Sequence, residues 1–301
     1  MDQRKQGEDA MTAGGPRVAV VTGASSGIGK ETAKALAARG WRVIASGRDA
    51  DRCAAAEAEI RAAASGAEVE FLRADLSLLA DARRLADEIA ARTDRVDVLV
   101  NNAGGMASAL VMTDEGYEGN FAANFLGPFV LTERLLPLLR AAAKDAPAGA
   151  VRIINTASDA SEMIPSVNFA DLQNLGNWSS GAAYCSGKLA NVLHARALAG
   201  RLADDGIVAH AVHPGTVDSN FFSHTPDHVR DAYGDAPKLT NAEGADTLIW
   251  LATADAPGRS SGGYWHQRAP RAPNPHVDDP AYVARFWDEA EKLVKSPAQI
   301  A

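Results

Sequence analysis

Tyr184 and Lys188 stand four residues apart in Tyr184-Cys185-Ser186-Gly187-Lys188, which puts a phenol and an ammonium on one face of a helix. A free phenol has a pKa of about 10 and is a poor base at neutral pH. A neighbouring ammonium favours the phenolate, so the pair can exchange a proton with a substrate oxygen near neutrality. Taken alone, this spacing is a frequent accident of surface helices. A second pattern gives it a context: Thr22-Gly23-Ala24-Ser25-Ser26-Gly27-Ile28-Gly29. Small residues let the backbone approach a diphosphate, and a helix starting inside the turn offers unpaired N–H groups and the positive end of its dipole. Gly23, Ser25, Ser26, Gly27, Ile28 and Gly29 are therefore candidate phosphate contacts. A third pattern, Ser46-Gly47-Arg48-Asp49, bears on which nucleotide is bound. A carboxylate at this strand end would hold the ribose 2′-hydroxyl of NAD, whereas a cation accommodates the 2′-phosphate of NADP. The planar guanidinium of Arg48 suits phosphate, and Asp49 reads as the cap of the next helix. NADP(H) is expected over NAD(H).

These groups need elements to hold them, and the chain supplies an alternation. Short β-branched runs at 17–22, 41–47, 69–75, 97–102, 151–158, 206–212 and 262–267 read as strands. Between them, Ala-rich amphipathic stretches read as helices: to about residue 39, to about 64, 78–92, roughly 115–143, 182–204 and 241–253. Strands joined by helical crossovers form a parallel sheet. The expected fold is α/β, one Rossmann-type doubly wound parallel sheet of about seven strands with helices on both faces. Residues 17–301 read as a single dinucleotide-binding catalytic domain. Residues 1–16, polar and Gly-rich with no apolar h-region, read as a disordered tail rather than a signal peptide. Segments 159–181 and 218–240 are polar and lack periodicity. Both follow strand ends, where open α/β sheets bind ligands, and are expected to cover a substrate.

Composition excludes some classes of partner. The 301 residues are 47% hydrophobic and 23% charged, with a formal charge of −8. An acidic balance does not suit nucleic acid, whose phosphates call for clustered Lys and Arg. No run reaches the roughly 18 apolar residues of a membrane span. Cys53 and Cys185 match no metal-ligand spacing, and no HExxH pattern appears, so no metal is expected. The chain reads as cytoplasmic, with packed cysteines rather than a disulfide.

The spacing of the glycine turn, G-x-x-x-G-x-G, resembles that of the short-chain dehydrogenase/reductase superfamily, and further motifs recur from about Arg17 to near Gln267. Asp75 and Leu76, after the third strand, match the family's adenine-contacting pair. Asn101-Asn102-Ala103-Gly104 matches its NNAG motif, where Asn102, Ala103 and Gly104 border the cofactor and Asn101 is structural. The resemblance makes Tyr184, Lys188, Ser158 and Asn124 the catalytic set. Tyr184 donates or accepts the proton, and Ser158 holds the substrate oxygen. Lys188 also contacts the nicotinamide ribose, and Asn124 supports Lys188 through water. His213-Pro214-Gly215-Thr216-Val217-Asp218-Ser219 resembles the element that holds the nicotinamide carboxamide, through Pro214, Gly215, Val217 and Ser219, with Ser219 where Thr is usual. His213 reads as a packed strand-end histidine.

The stretches 116–139, 168–174 and 183–193 resemble the branch containing retinol dehydrogenases, WW-domain oxidoreductase and protochlorophyllide reductase. That resemblance implies a hydrophobic small-molecule alcohol or carbonyl substrate. Two alternatives stay open: reduction of an activated C=C bond, and a nucleotide-binding regulatory protein without turnover. Relatives pair through two long helices or stay monomeric, so a homodimer or homotetramer also stays open. Gly187, inside a predicted helix, costs about 1 kcal/mol relative to alanine, and the sequence offers no account of it.

Overall fold

The computed structural model describes residues 11–12, 15–223, 225–234 and 237–295. Seven parallel strands are β1 (Val18–Val21), β2 (Arg42–Gly47), β3 (Val69–Arg73), β4 (Val98–Asn101), β5 (Arg152–Thr156), β6 (Val208–Val212) and β7 (Tyr264–His266). A short eighth, β8 (Ala269–Pro270), turns back antiparallel on β7. The sheet order is β8-β7-β6-β5-β4-β1-β2-β3, so the winding reverses between β1 and β4. Ligands bind outside the carboxyl ends of the strands at such a reversal.

The strands are apolar because both faces are covered. Along β1, Val18 and Val20 enter one core while Ala19 and Val21 enter the other, the period-two alternation of a strand. Helices α1 (Gly27–Ala37), α2 (Ala50–Ala63) and α7 (Asn241–Thr253) lie on one face, closed by Ala33, Leu36, Leu248 and Leu251. On the other lie α3 (Leu79–Ala90), α4 and α5 (Ser180–Arg201), contributing Leu85, Leu131, Leu135, Leu189 and Leu193. Helix α4 opens as Gly119–Phe121, passes through a π-helical turn at Ala122–Leu126 and continues as Gly127–Lys144. Helix α6 (Asp227–Tyr233) lies in the segment after β6.

Three features depart from the sequence expectation. The helix expected from about 115 begins at Gly119, because the Glu118 carboxylate caps it by accepting from the Asn120 and Phe121 N–H groups. The last strand is shorter than 262–267 and gains the β8 partner. Helix α8 (Pro280–Lys295) was not foreseen. It lies across α4 and α5, with Phe286 5.2 Å from Phe125 and Trp287 4.9 Å from Phe129, centroid to centroid. Arg201 of α5 stacks over Trp287, and Tyr117 donates to the Leu293 carbonyl. Of the expected tail, residues 1–10 and 13–14 lie outside the described residues, and Met11–Thr12 pairs with Gly15–Pro16. No helix among the described residues is long and apolar enough to cross a membrane.

Candidate active site

The glycine turn sits where the winding reverses, and the strand ends beside it are stitched together. Thr22 Oγ1 accepts from the Asn102 and Ala103 N–H groups at 2.9 and 3.0 Å. Asn102 donates its amide to the Thr22 and Gly23 carbonyls and accepts from Thr156 Oγ1. Expected among the cofactor contacts, Asn102 thus spends its side chain fixing the loop that carries Ala103 and Gly104. Gly23 and Gly27 hold φ of 64° and 62°, the left-handed region that favours glycine. A Cβ on Gly23 would lie 2.8 Å from Ala103 Cα, and one on Gly29 would overlap the Gly23 carbonyl and the Asn102 amide. Ser26 is the extended N-cap of α1 but makes no side-chain cap, and the first turn carries no acid. The N–H groups of that turn are thus left uncapped by any side chain, which fits an anion at a helix N-terminus.

At the end of β2, Gly47 packs against Ser25 and Cys53, and Arg48 is exposed. Asp49 caps α2 by accepting from the Arg52 N–H. Arg73, at the neighbouring end of β3, donates to the Arg48 carbonyl. Asp75 folds its carboxylate back onto the Ser77 N–H and hydroxyl. Leu76 is buried with its carbonyl against Gly127 of α4. These residues line one edge beside the turn, and a dinucleotide fits there: bare backbone at Gly23, Gly29 and Gly104, an uncapped helix start, and an exposed guanidinium.

The candidate proton-handling groups come from α4, α5 and the loops after β4 and β5. Lys188 is buried, donates to the Thr156 carbonyl at 3.0 Å, and lies 5.5 Å from the centre of the Tyr184 ring. Burial pushes the Lys188 ammonium down to about 8. Asn191, one turn on, donates to the same carbonyl at 3.2 Å. Asn124 lies in the π-helical turn, where its amide donates to Gly105 and Asn120 carbonyls and its Oδ1 accepts from the Gly105 N–H. Gly104 separates it from Lys188: a Cβ there would overlap Asn124 Oδ1 and lie 3.5 Å from Lys188 Nζ. Gly187 now has an account. A methyl at that position would sit 3.2 Å from Asn124 Cβ, so the bare helix lets α5 close on α4 beside the catalytic candidates. Cys53 and Cys185 are buried and unpaired, and burial raises both thiols, Cys185 more than any neighbouring charge does.

Ser158 follows β5, and its hydroxyl donates to Asp159 at 2.9 Å while accepting from the Ala160 N–H. His213 follows β6 in a buried position and accepts from the Asp159 N–H; burial pushes it down to about 4, so the ring is neutral. Pro214 and Gly215 continue toward the turn. Gly215 faces Leu239 and His266, Val217 packs against Gly244 and bridges to Leu239, and Ser219 borders Gly27. Ser219 Oγ accepts from the Phe221 N–H, and the Phe221 ring lies 5.4 Å from that of Tyr184. The 218–240 segment therefore begins over the tyrosine. The 159–181 segment is anchored at its far end by Trp178, which donates to the Glu118 carboxylate, and by Gln173, which accepts from the Glu118 N–H.

The sequence did not mark Glu118, Asn191, Thr22 or Asp159. Thr22 lies in the glycine-turn motif, Glu118 and Asn191 matter through partners distant in sequence, and Asp159 through its neighbour Ser158.

The doubly wound sheet, glycine turn and Tyr–Lys helix face define an oxidoreductase of the nicotinamide-dinucleotide type. A profile described as short chain dehydrogenase matches residues 17–229. The chain belongs to that family, on its retinol dehydrogenase-like branch. It is 35% identical to retinol dehydrogenase 13 of Mus musculus over 92% of this chain and 84% of that protein. To retinol dehydrogenase 12 of Homo sapiens it is 36% identical, over 92% and 86%. To polyprenol dehydrogenase of Mus musculus it is 35% identical, over 92% and 83%. Among solved structures, a putative uncharacterized protein from Mycobacterium paratuberculosis aligns with a TM-score of 0.72 and 30% identity, covering 94% and 95% of the two chains. The Pseudomonas aeruginosa RhlG/NADP active-site complex aligns with 0.66 and 29%, covering 86% and 96%.

Proposed function

We propose that the chain is an NADP(H)-dependent, cytoplasmic oxidoreductase that moves a hydride between nicotinamide and the carbonyl or alcohol of an apolar substrate. Tyr184 is its proton donor and acceptor. The observation that carries the reading is Lys188, buried beside the Tyr184 ring with its Nζ 3.5 Å from where a Gly104 Cβ would stand in the loop after β4. An ammonium in a low-dielectric setting stabilises a phenolate far more than one in water does. Gly23, Gly29, Ala103 and Gly104 would border the dinucleotide, Arg48 would hold its 2′-phosphate and the 214–219 strip its nicotinamide end. When bound, the nicotinamide supplies or accepts the hydride.

In the reductive direction, Tyr184 donates its proton to the developing alkoxide, and Ser158 rotates its hydroxyl from Asp159 to that oxygen. Lys188 holds the phenolate left behind, and Asn124 fixes the Gly105 loop against which Lys188 rests. In oxidation the same groups run in reverse. The segments 159–181 and 218–240 cover the substrate. Leu110, Val111, Met112, Met163 and Leu175 are exposed on loops after β4 and β5, which supports an apolar substrate entering at that rim. The NADP named for the RhlG complex supports the cofactor choice.

The test is Tyr184→Phe. Turnover of aldehydes or ketones is expected to fall by at least about a thousandfold, with NADPH affinity by fluorescence titration within about twofold. Retained turnover would refute the role of Tyr184. Cell fractionation tests the location.

A further inference from the structure

The residue after the serine carries a charge that the reaction does not need. Asp159 Oδ1 accepts a hydrogen bond from Ser158 Oγ at 2.9 Å, and the carboxylate is 45% exposed. Its surroundings offset that charge only in part. From β6, His213 Nε2 is 3.7 Å away, but that ring is buried and neutral. Beyond β8, Arg271 is held by both oxygens of Glu162 at 2.6 and 2.9 Å and acts on Asp159 only at longer range. From α5 come the buried thiol Cys185, which the carboxylate acts on, and Tyr184 and Lys188, which the proposed mechanism places at the same reacting oxygen. Behind His213 stands His266, 4.6 Å away ring to ring. Among the described residues, no lysine or arginine forms an ion pair with Asp159. A half-exposed carboxylate with no lysine or arginine ion-paired to it therefore sits at the position from which Ser158 reaches the substrate.

We infer that Asp159 is a specificity-determining residue, a charge filter that rejects substrates with an anion next to the reacting carbonyl and favours those with a cation there. The inference rests on the proposed role of Ser158. A hydroxyl-to-oxygen bond spans about 2.7 Å, so the carboxylate lies within about 6 Å of the reacting oxygen. A substrate charge one or two bonds from the carbonyl then falls about 6–8 Å from Asp159. At an effective dielectric near 20, such a separation changes a rate constant by at least about tenfold. Rejecting a wrong substrate by like charge is a general route to specificity.

The experiment compares three aryl ketones matched in shape: methyl phenylglyoxylate (neutral), phenylglyoxylate (anion) and 2-(trimethylammonio)acetophenone (cation). Each is assayed for NADPH-dependent reduction by the full chain and by Asp159→Asn. Asparagine keeps the size and an acceptor for the Ser158 hydroxyl but removes the charge. In the variant, kcat/KM for the anion relative to the neutral ester is expected to rise at least about tenfold, and that for the cation to fall by a similar factor. Turnover of the neutral ester should stay within about threefold. The intrinsic reactivities of the ketones cancel in the comparison of the two proteins, and a merely structural role would move all three substrates together. If the neutral ester is reduced and the two charge ratios stay unchanged in Asp159→Asn, the charge filter is refuted while the oxidoreductase reading stands. If the wild type reduces none of the three while binding NADPH, the reading of Ser158 falls and takes the filter with it.

Discussion

Replacing Lys188 with methionine should stabilise the protein while destroying its activity. Burial moves the ammonium from the 10.5 of a free side chain to about 8, a gap worth about 3 kcal/mol. The sign follows from proton counting. The folded state gives up its proton near 8 and the unfolded chain near 10.5, so between those values the unfolded state binds more protons. Stability therefore rises with pH across that window. Below pH 8 both states are charged and the full burial cost is present; above 10.5 both are neutral and it is gone. Methionine has nearly the same length and no charge to bury. The Thr156 carbonyl that Lys188 engages keeps Asn191 as a donor at 3.2 Å, so Lys188→Met leaves no orphaned acceptor. The cofactor-free variant should thus be more stable than the wild type at pH 7 by up to about 3 kcal/mol, roughly 5 °C in Tm.

The assay is urea unfolding of both proteins without nucleotide, from pH 6 to 10.5. Arg152, which burial holds down to about 10, titrates in the same range, so the readout is the difference between the two curves. That difference should shrink steadily above pH 8. A variant less stable than the wild type at pH 7, or a difference that does not change with pH, would refute the claim that Lys188 is held against its own solvation for the sake of the tyrosine.

Gly187→Ala should lower kcat on the order of tenfold, with stability within about 1 kcal/mol. The gain in helix propensity offsets part of the crowding, while the new methyl presses on Asn124 at 3.2 Å; steady-state kinetics and urea unfolding check the two halves. Arg48→Ala should raise KM for NADPH at least about tenfold and leave that for NADH within about twofold, since a charge-assisted phosphate contact is worth about 1.5–3 kcal/mol. Equal effects on both nucleotides would count against a 2′-phosphate site. Because α8 packs Phe286 and Trp287 over Phe125 and Phe129, the face of α4 and α5 is already covered. The full chain should run as a monomer in light scattering, and truncation after Asp279 should produce association or loss of cooperative unfolding.

Much of this protein is legible in the chain because its signals are local. Alternating apolar runs and Ala-rich helices specify a parallel sheet, and a turn such as Gly23 to Gly29 calls for glycine wherever neighbouring chain segments meet this closely. Tyr184 and Lys188 share a face by helical periodicity alone. Tertiary structure decided the rest. That Lys188 is desolvated depends on β5 and α4 closing over it, and that Gly187 is needed depends on Asn124 in a π-helical turn. Glu118 gains its place as a cap only through Trp178 and Gln173, which lie more than fifty residues away in sequence. The amphipathic run of α8 carries no motif, and what it covers could not be read until α4 and α5 were side by side. Periodicity and turn chemistry act within a few residues and survive in a one-dimensional string. Burial and charge compensation are sums over neighbours that only the folded chain brings together.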